Sequence, residues 1–221
     1  MTNKYVISDI HGCYNTFNEL LNKIGLSKSD ELFLLGDYIN RGKDSKKVVD
    51  YIIDLQNQGY NITALKGNHE EMVFDSLELE DWTSGAKETL ESFGINHLNQ
   101  LDAKYLKWFS KLKPIHQDDE FIFVHAGLNF DVSNPFDDKR SACWIQNWYG
   151  SIDYDWLGNW KIIHGHVPIE KSQIEKMMEG FNKTKVLNID NGCYMTDKKG
   201  YGSMVCVDLT NLKLTFQANV G

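Results

Sequence analysis

Over the first 70 residues, three short apolar runs alternate with two segments of helical periodicity, and this β-α-β-α-β order constrains the fold most. Residues 4–8, 32–35 and 62–65 are too short for buried helices and read as strands. Between the first two, residues 15–24 carry Phe17, Leu20, Leu21 and Ile24 at helical spacing and stop at Gly25. Asp44 can cap a second helix that runs to about residue 58, with Val48, Val49, Ile52, Ile53 and Leu55 as its apolar stripe and Gly59 as its end. Parallel strands need crossover connections, usually helical. The alternation therefore predicts an α/β fold with a mostly parallel sheet covered by helices.

Beyond residue 70 the pattern is less regular. Residues 70–113 are mainly helical by pattern, with apolar stripes at 72–79 and 105–112 and glycines at 85 and 94 between them. Residues 121–124, 160–163, 185–189, 203–208 and 212–217 read as further strands, the last two joined through Thr210-Asn211 as an antiparallel hairpin. Residues 129–160, rich in Asn, Asp and Trp and containing Pro135, predict a long loop region or small cap. At 221 residues and 42% hydrophobic content, with no repeat or linker, the chain is expected to build one core as a single domain spanning 1–221.

The formal charge of -8 repels nucleic-acid backbones and excludes a general nucleic-acid binder. No apolar run approaches the roughly 20 residues of a membrane span. The N-terminus enters a strand with no charged segment and apolar run ahead of it, so no signal peptide is expected. Cys13, Cys143, Cys193 and Cys206 are scattered without C-x-x-C spacing, which fits free thiols and a cytoplasmic location. Cys13 lies two residues beyond His11, but its neighbours suit oxygen and nitrogen ligation better. The oligomeric state is left open.

Potential metal ligands collect where the predicted strands end. Asp9-Ile10-His11-Gly12 follows the first, Gly36-Asp37 to Arg41-Gly42 the second, Gly67-Asn68-His69-Glu70 the third, His125-Ala126-Gly127 the fourth and His164-Gly165-His166 the fifth. In open α/β sheets that edge is where ligands bind. Hydrolysis of a phosphoester needs hydroxide at neutral pH beside a negatively charged group. Two cations about 3.5–4 Å apart acidify a shared water and clamp the phosphoryl oxygens. Mixed carboxylate, amide and imidazole donors suit transition ions better than magnesium. Taken singly, Asp9 and Asp37 are also common turn residues, Asn68 a helix N-cap and His125 an ordinary strand-end histidine. Their order along the chain is what singles them out.

The five motifs, in sequence from position 9 to 166, resemble the signature of the calcineurin-like metallophosphoesterases, and within them the bacterial branch of the phosphoprotein phosphatase family. The stretch 188–192, Asn-Ile-Asp-Asn-Gly, is a weaker echo of the family's C-terminal motif. The resemblance implies a four-layer α/β/β/α sandwich of the metallo-dependent phosphatase type. It implies that Asp9 and His11 bind one metal, that Asp37 bridges two, and that Asn68, His125 and His166 bind the second. Arg41 would grip phosphate. His69 would act as general acid, with Asn40 as its partner, toward a phosphoester attacked by a metal-bridging hydroxide. The implied cofactors are two divalent transition ions, manganese first, with iron, zinc or nickel as alternatives. His164 is expected beside the site or buried rather than on a metal, and Glu70 in a structural hydrogen bond.

Three departures qualify the resemblance. Asn40 replaces the family's Asp; it can still accept a hydrogen bond from the histidine, but being neutral it supports an imidazolium less, which favours good leaving groups such as a phenolate or a phosphate anhydride. Gln146 stands after Trp144-Ile145 where relatives carry a phosphate-binding Arg. Arg140 is the candidate substitute, set against an ordinary solvated loop charge. Lys66 replaces an Arg and loses its two-pronged geometry. The opening His11-Gly12-Cys13-Tyr14 and the missing Asp at position 40 are similar to symmetric diadenosine tetraphosphatases. The first expectation is a phosphomonoesterase acting on phosphoproteins, at Ser/Thr or Tyr. The alternatives are hydrolysis of nucleotide or diadenosine polyphosphates, and a phosphate-recognising pseudo-enzyme. Partners would be a phosphoprotein or a small phosphorylated substrate. The tryptophans 82, 108, 144, 148, 156 and 160 are either stacking surfaces for a substrate ring or core residues.

Overall fold

The computed structural model describes residues 2–79 and 86–221, so Trp82 and Gly85 lie outside the described residues. The N-terminal alternation is present: β1 (Lys4–Ile7), α1 (Tyr14–Ile24), β2 (Glu31–Leu34), α2 (Ser45–Asn57) and β3 (Asn61–Ala64). These three strands pair in parallel. The sheet is extended on the far side of β1 by β8 (Ser203–Asp208) and β9 (Lys213–Ala218), which run antiparallel, in the order β3-β2-β1-β8-β9. A second sheet has the order β4-β5-β6-β7, built from β4 (Ile115–Gln117), β5 (Phe121–Val124), β6 (Lys161–His164) and β7 (Val186–Asn188). The helices between are α3 (Asn68–Leu79), α4 (Ala86–Phe93), α5 (Ala103–Lys111), α6 (Lys139–Trp144), α7 (Tyr154–Leu157) and α8 (Lys171–Thr184).

Period-two alternation sorts the strand side chains into layers. Tyr5, Ile7, Leu32 and Leu34 face outward and pack with Phe17, Leu20, Val48, Val49 and Ile52 of α1 and α2 and with Tyr105 and Phe109 of α5. Val6, Phe33, Val205 and Val207 face the other way and meet Phe121, Phe123, Ile163 and Leu187 of the second sheet. Phe33 and Phe123 stack across this seam with centroids 4.1 Å apart. Ile122, Val124, Ile162 and Val186 point out from the second sheet and are covered by Leu128, Ala142, Trp148 and Leu157. The result is the expected four layers, α/β/β/α, with short helices and loops as the last.

Several local features differ from the sequence reading. The edge strand β4 was not anticipated; it is three residues long and follows Pro114. Helix α8 was also missed, although Ile174 and Phe181 anchor it in the seam and a Glu170/Gln173 capping box starts it. Asp44 stands at the N-cap of α2 but gives its carboxylate to Lys47 Nζ at 2.7 Å instead of capping. The β8–β9 connection is four residues, 209–212, because Asp208 pairs with Lys213, and Asp208 Oδ1 accepts from the Thr210 and Asn211 N–H groups. No described helix is long and apolar enough to cross a membrane.

Candidate metal centre

The ends of β1, β2, β3, β5 and β6 converge, and the loops that leave them carry the five motifs. Their backbones are bent in an unusual way. Asp9, His11, Asp37, Asn40, Arg41 and His166 all have positive φ, a region costly to side-chain-bearing residues and concentrated at functional sites. Close approach is equally demanding: a Cβ at Gly67 would overlap the Asp37 carboxylate, and one at Gly165 the Asp9 carboxylate.

Asp37 Oδ2 is central. It lies 3.4 Å from His11 Nε2, 3.5 Å from His125 Nε2 and 3.8 Å from His69 Nε2. Asn68 Oδ1 lies 3.0 Å from His125 Nε2 and 3.1 Å from His166 Nδ1, and those two nitrogens are 3.1 Å apart. Asp9 packs alongside, its carboxylate accepting the His166 N–H at 3.1 Å. The six expected ligands thus lie at one place, with five of them presenting donor atoms to a common space and Asp9 turned toward the His166 main chain.

Main-chain oxygens fix the tautomers of two of these rings. His11 Nδ1 faces Ile39 O at 2.9 Å and His125 Nδ1 faces Leu35 O at 3.1 Å. Each Nδ1 must therefore carry the proton and donate it, leaving a bare lone pair on each Nε2. Burial holds His11 down to about 4 and His125 well below the usual imidazole value, so neither ring is charged. Lone pairs of two imidazoles, a carboxylate and an amide oxygen then face one another. A proton on His166 Nδ1 can satisfy only one of its two contacts, and His166 Nε2 is buried with no partner. Carboxylates fare no better. Burial first, then the neighbouring acids, pushes Asp9 and Asp37 well above the usual carboxylate range, and Asp190 is raised by burial to about 7. This donor set lacks positive charge in its interior and fits divalent cations on either side of Asp37, toward His11 and toward His125 and His166, with His69 Nε2 close to the first.

His69 differs from the other rings. Thr89 Oγ1 donates to Asn40 Oδ1 at 2.7 Å, which orients the amide so that Asn40 Nδ2 donates to His69 Nδ1 at 2.6 Å. The His69 proton is then on Nε2, the atom facing the site. A protonated nitrogen does not ligate, and this one is placed to donate a hydrogen bond into the site. Asn40 was expected to accept from His69; it donates instead. His69 is held neutral, down to about 2, by burial first and then by its neighbours His11, Arg41 and His166, of which Arg41 carries a standing charge. Arg41 stands exposed on the rim with its guanidinium carbon 5.6 Å over the Tyr194 ring, itself edge-on to His11 at 5.1 Å. Glu70 is fully buried and accepts the N–H groups of Asp37, Tyr38 and Gly67 at 2.8–2.9 Å, tying two motif loops together.

Other candidates are dispersed. His164 is buried with Nδ1 turned to Gly165 O, outside both clusters. All four cysteines are free, and Cys13 Sγ bonds to His11 O rather than entering the site. Arg140 is exposed and lies 5.5 Å from the Trp144 ring. Trp148 is 4% exposed, and Trp156 and Trp160 pack against the same cluster, so these three are core residues. Thr89 and Tyr194, which orient Asn40 and Arg41, carry no motif and were not found from sequence.

Fold and site together have the architecture of a metallo-dependent phosphoesterase, with donor groups suited to divalent cations. The chain belongs to the calcineurin-like phosphoesterase family, whose model matches residues 4–194. This is a binuclear, metal-dependent family. Similar proteins include symmetrical bis(5'-nucleosyl)-tetraphosphatases of Wigglesworthia glossinidia brevipalpis, 38% identical over 65% of this chain and 52% of the relative, and of Nitrosospira multiformis, 33% identical over 56% and 43%. That of Haemophilus ducreyi is 31% identical over 68% and 55%. The chain spans about half the length of the curated relatives it matches. The solved structure of a serine/threonine phosphatase from Saccharomyces cerevisiae superposes with TM-score 0.70 at 16% identity, covering 100% of this chain and 81% of that one. A cold-active protein tyrosine phosphatase gives 0.62 at 16%, covering 99% and 80%. At such identities these two speak for the fold alone.

The relatives correct the first functional expectation. A phosphoprotein phosphatase was placed ahead of a nucleotide polyphosphate hydrolase, and the similar proteins bear names of the second kind. For serine and threonine esters a physical reason lies at Asn40. A neutral amide donating to His69 does not stabilise an imidazolium, so the site offers little to a poor leaving group such as a serine alkoxide.

Proposed function

We propose that the chain hydrolyses a phosphoanhydride bond of nucleoside polyphosphates, of the dinucleoside tetraphosphate class. The observation that carries this reading is the Thr89–Asn40–His69 chain, which keeps the imidazole neutral with its proton on Nε2. A phosphate leaving from an anhydride needs little protonation, whereas an alkoxide needs much. Two divalent ions, bound by Asp9, His11, Asp37, Asn68, His125 and His166, would supply an acidified water and draw charge from the phosphoryl oxygens. Manganese suits the mixed oxygen and imidazole donors, as do iron, zinc or nickel. Arg41, free of any ion pair among the described residues, grips the phosphate chain from the rim. His69 Nε2–H donates a hydrogen bond to the departing oxygen and keeps its proton, since a neutral imidazole is too weak an acid to give it up. Asn40 and Thr89 hold the tautomer that makes this possible.

A substrate panel tests the reading. Diadenosine tetraphosphate, an aryl phosphate and a phosphoserine peptide are compared at saturating manganese by kcat/KM. The dinucleotide is expected to be turned over best and the phosphoserine peptide worst. A phosphopeptide preferred over the dinucleotide would refute it.

A further inference from the structure

Beside the metal centre lies a cavity of about 440 Å³, within the roughly 300–1,000 Å³ typical of small-molecule sites. Its wall includes Ala126 and Val167, the residues that follow His125 and His166, so it adjoins the two chain segments leaving the site. We infer that this cavity is a base-binding pocket in which the ring of Tyr149 is held rigid to stack on a nucleobase. The inference rests on the nucleoside polyphosphate reading above.

Tyr149 is the reason. It is 46% exposed, yet it is fixed at both ends. His164 Nδ1 donates to Gly165 O at 3.0 Å, which leaves Nε2 as an acceptor, and the Tyr149 hydroxyl donates to it at 2.6 Å. The ring meets Trp148 edge-on at 4.9 Å and 80°. Trp148 is itself pinned, its Nε1 donating to Ala126 O at 3.0 Å. An exposed tyrosine ordinarily keeps its rotamer freedom. Here that freedom is already lost, so binding a flat ligand costs little further ordering, the arrangement that favours aromatic anchors. This also gives a use to His164, a buried imidazole that takes no part in the metal cluster.

The rest of the lining suits the same occupant. Val167, 41% exposed, and Ile169 supply apolar surface for a ring. Gln146 and Asn147 are exposed and their amides have no hydrogen-bond partner among the described residues. An amide presents a donor beside an acceptor, the pair that matches a purine edge, as Asn and Gln match adenine N6 and N7.

The test separates the pocket from the reaction. Adenosine or ribose is titrated into the metal-free full chain and followed by nuclear magnetic resonance. Adenosine is expected to bind and ribose not to. Base stacking on an aromatic side chain implies a loss of roughly 5- to 150-fold in adenosine affinity for Tyr149→Ala. With manganese restored, the ratio of kcat/KM for diadenosine tetraphosphate to that for p-nitrophenyl phosphate should fall by a similar factor. Tyr149→Phe keeps the ring and should keep most of the affinity. No adenosine binding by the parent chain, unchanged affinity in Tyr149→Ala, or a loss in Tyr149→Phe as large as in Tyr149→Ala would each overturn the inference. Adenosine binding without dinucleotide turnover would leave the pocket standing and sink the substrate reading instead.

Discussion

Glu70 offers a direct test of how the motif loops are held. Its carboxylate is fully buried and accepts three main-chain N–H groups, two on Oε2 from Asp37 and Gly67 and one on Oε1 from Tyr38. Glu70→Gln has one oxygen to offer. Keeping the two-bond side turns the amide NH2 against Tyr38 N–H. Bonds to a charged acceptor contribute about 1.5–3 kcal/mol each against about 0.5–1.5 for neutral ones, and a stranded buried donor costs about 1–3. Relief of the repulsion between Glu70 and Asp37 offsets part of this, leaving a loss of roughly 2–3 kcal/mol. For a chain of this length that lowers Tm by roughly 5–10 °C. The same change loosens the Asp37 backbone behind Oδ2. Outer partners of metal ligands typically matter 10- to 100-fold in affinity, so manganese should bind about that much more weakly. Calorimetric titration of manganese into chelator-treated protein, with thermal melts alongside, reads both. Manganese affinity within about twofold of the parent, at an unchanged Tm, would show that Glu70 does not set the geometry of Asp37.

Three further outcomes are expected. Asn40→Asp places a carboxylate against His69, in a left-handed backbone that Asp tolerates as Asn does, and should raise turnover of alkyl relative to aryl phosphates by about 10- to 100-fold; an unchanged ratio across a leaving-group series would refute the leaving-group argument. Phe123→Ala empties the seam partner of Phe33 and should cost about 3–5 kcal/mol by urea unfolding. Asp118 is held below the usual carboxylate range because bonds from Lys4 Nζ, at 2.8 Å, and from the Glu120 and Phe121 N–H groups outweigh the opposing effect of burial. A depressed carboxylate stabilises the fold above its unfolded pKa, about 3.9, and that contribution fades as pH falls through the lower folded value. The urea midpoints of the parent and Asp118→Asn should therefore differ at neutral pH and converge in acid.

The strand-end motifs were legible because each sets one or more site residues beside a glycine within three to seven consecutive positions. The parallel order β1-β2-β3 was legible because two amphipathic helices separate three apolar runs. What escaped detection was long-range or weakly patterned. Thr89 reaches Asn40 across 49 residues, and nothing near position 89 marks it. Tyr194 acts through its ring on Arg41 and His11, a contact with no local signal. Helix α8 was visible in principle, since Ile174, Met177 and Phe181 fall at helical spacing after a Glu170/Gln173 pair, but its stripe is narrow beside the charges around it. The reversed sense of the Asn40–His69 bond depends on a third residue, so no pairwise reading of motifs could supply it.

Leu35 O and Ile39 O decide which nitrogen His125 and His11 turn inward. A carbonyl belongs to the chain, not to any side group, so replacing Leu35 or Ile39 leaves the oxygen in place. The cation-facing chemistry is thereby insulated from point changes in its immediate surroundings. The loop at 144–151 is held instead through side chains, Trp148 on Ala126 O and Tyr149 on the His164 ring, so there a single substitution can alter the surface beside the site.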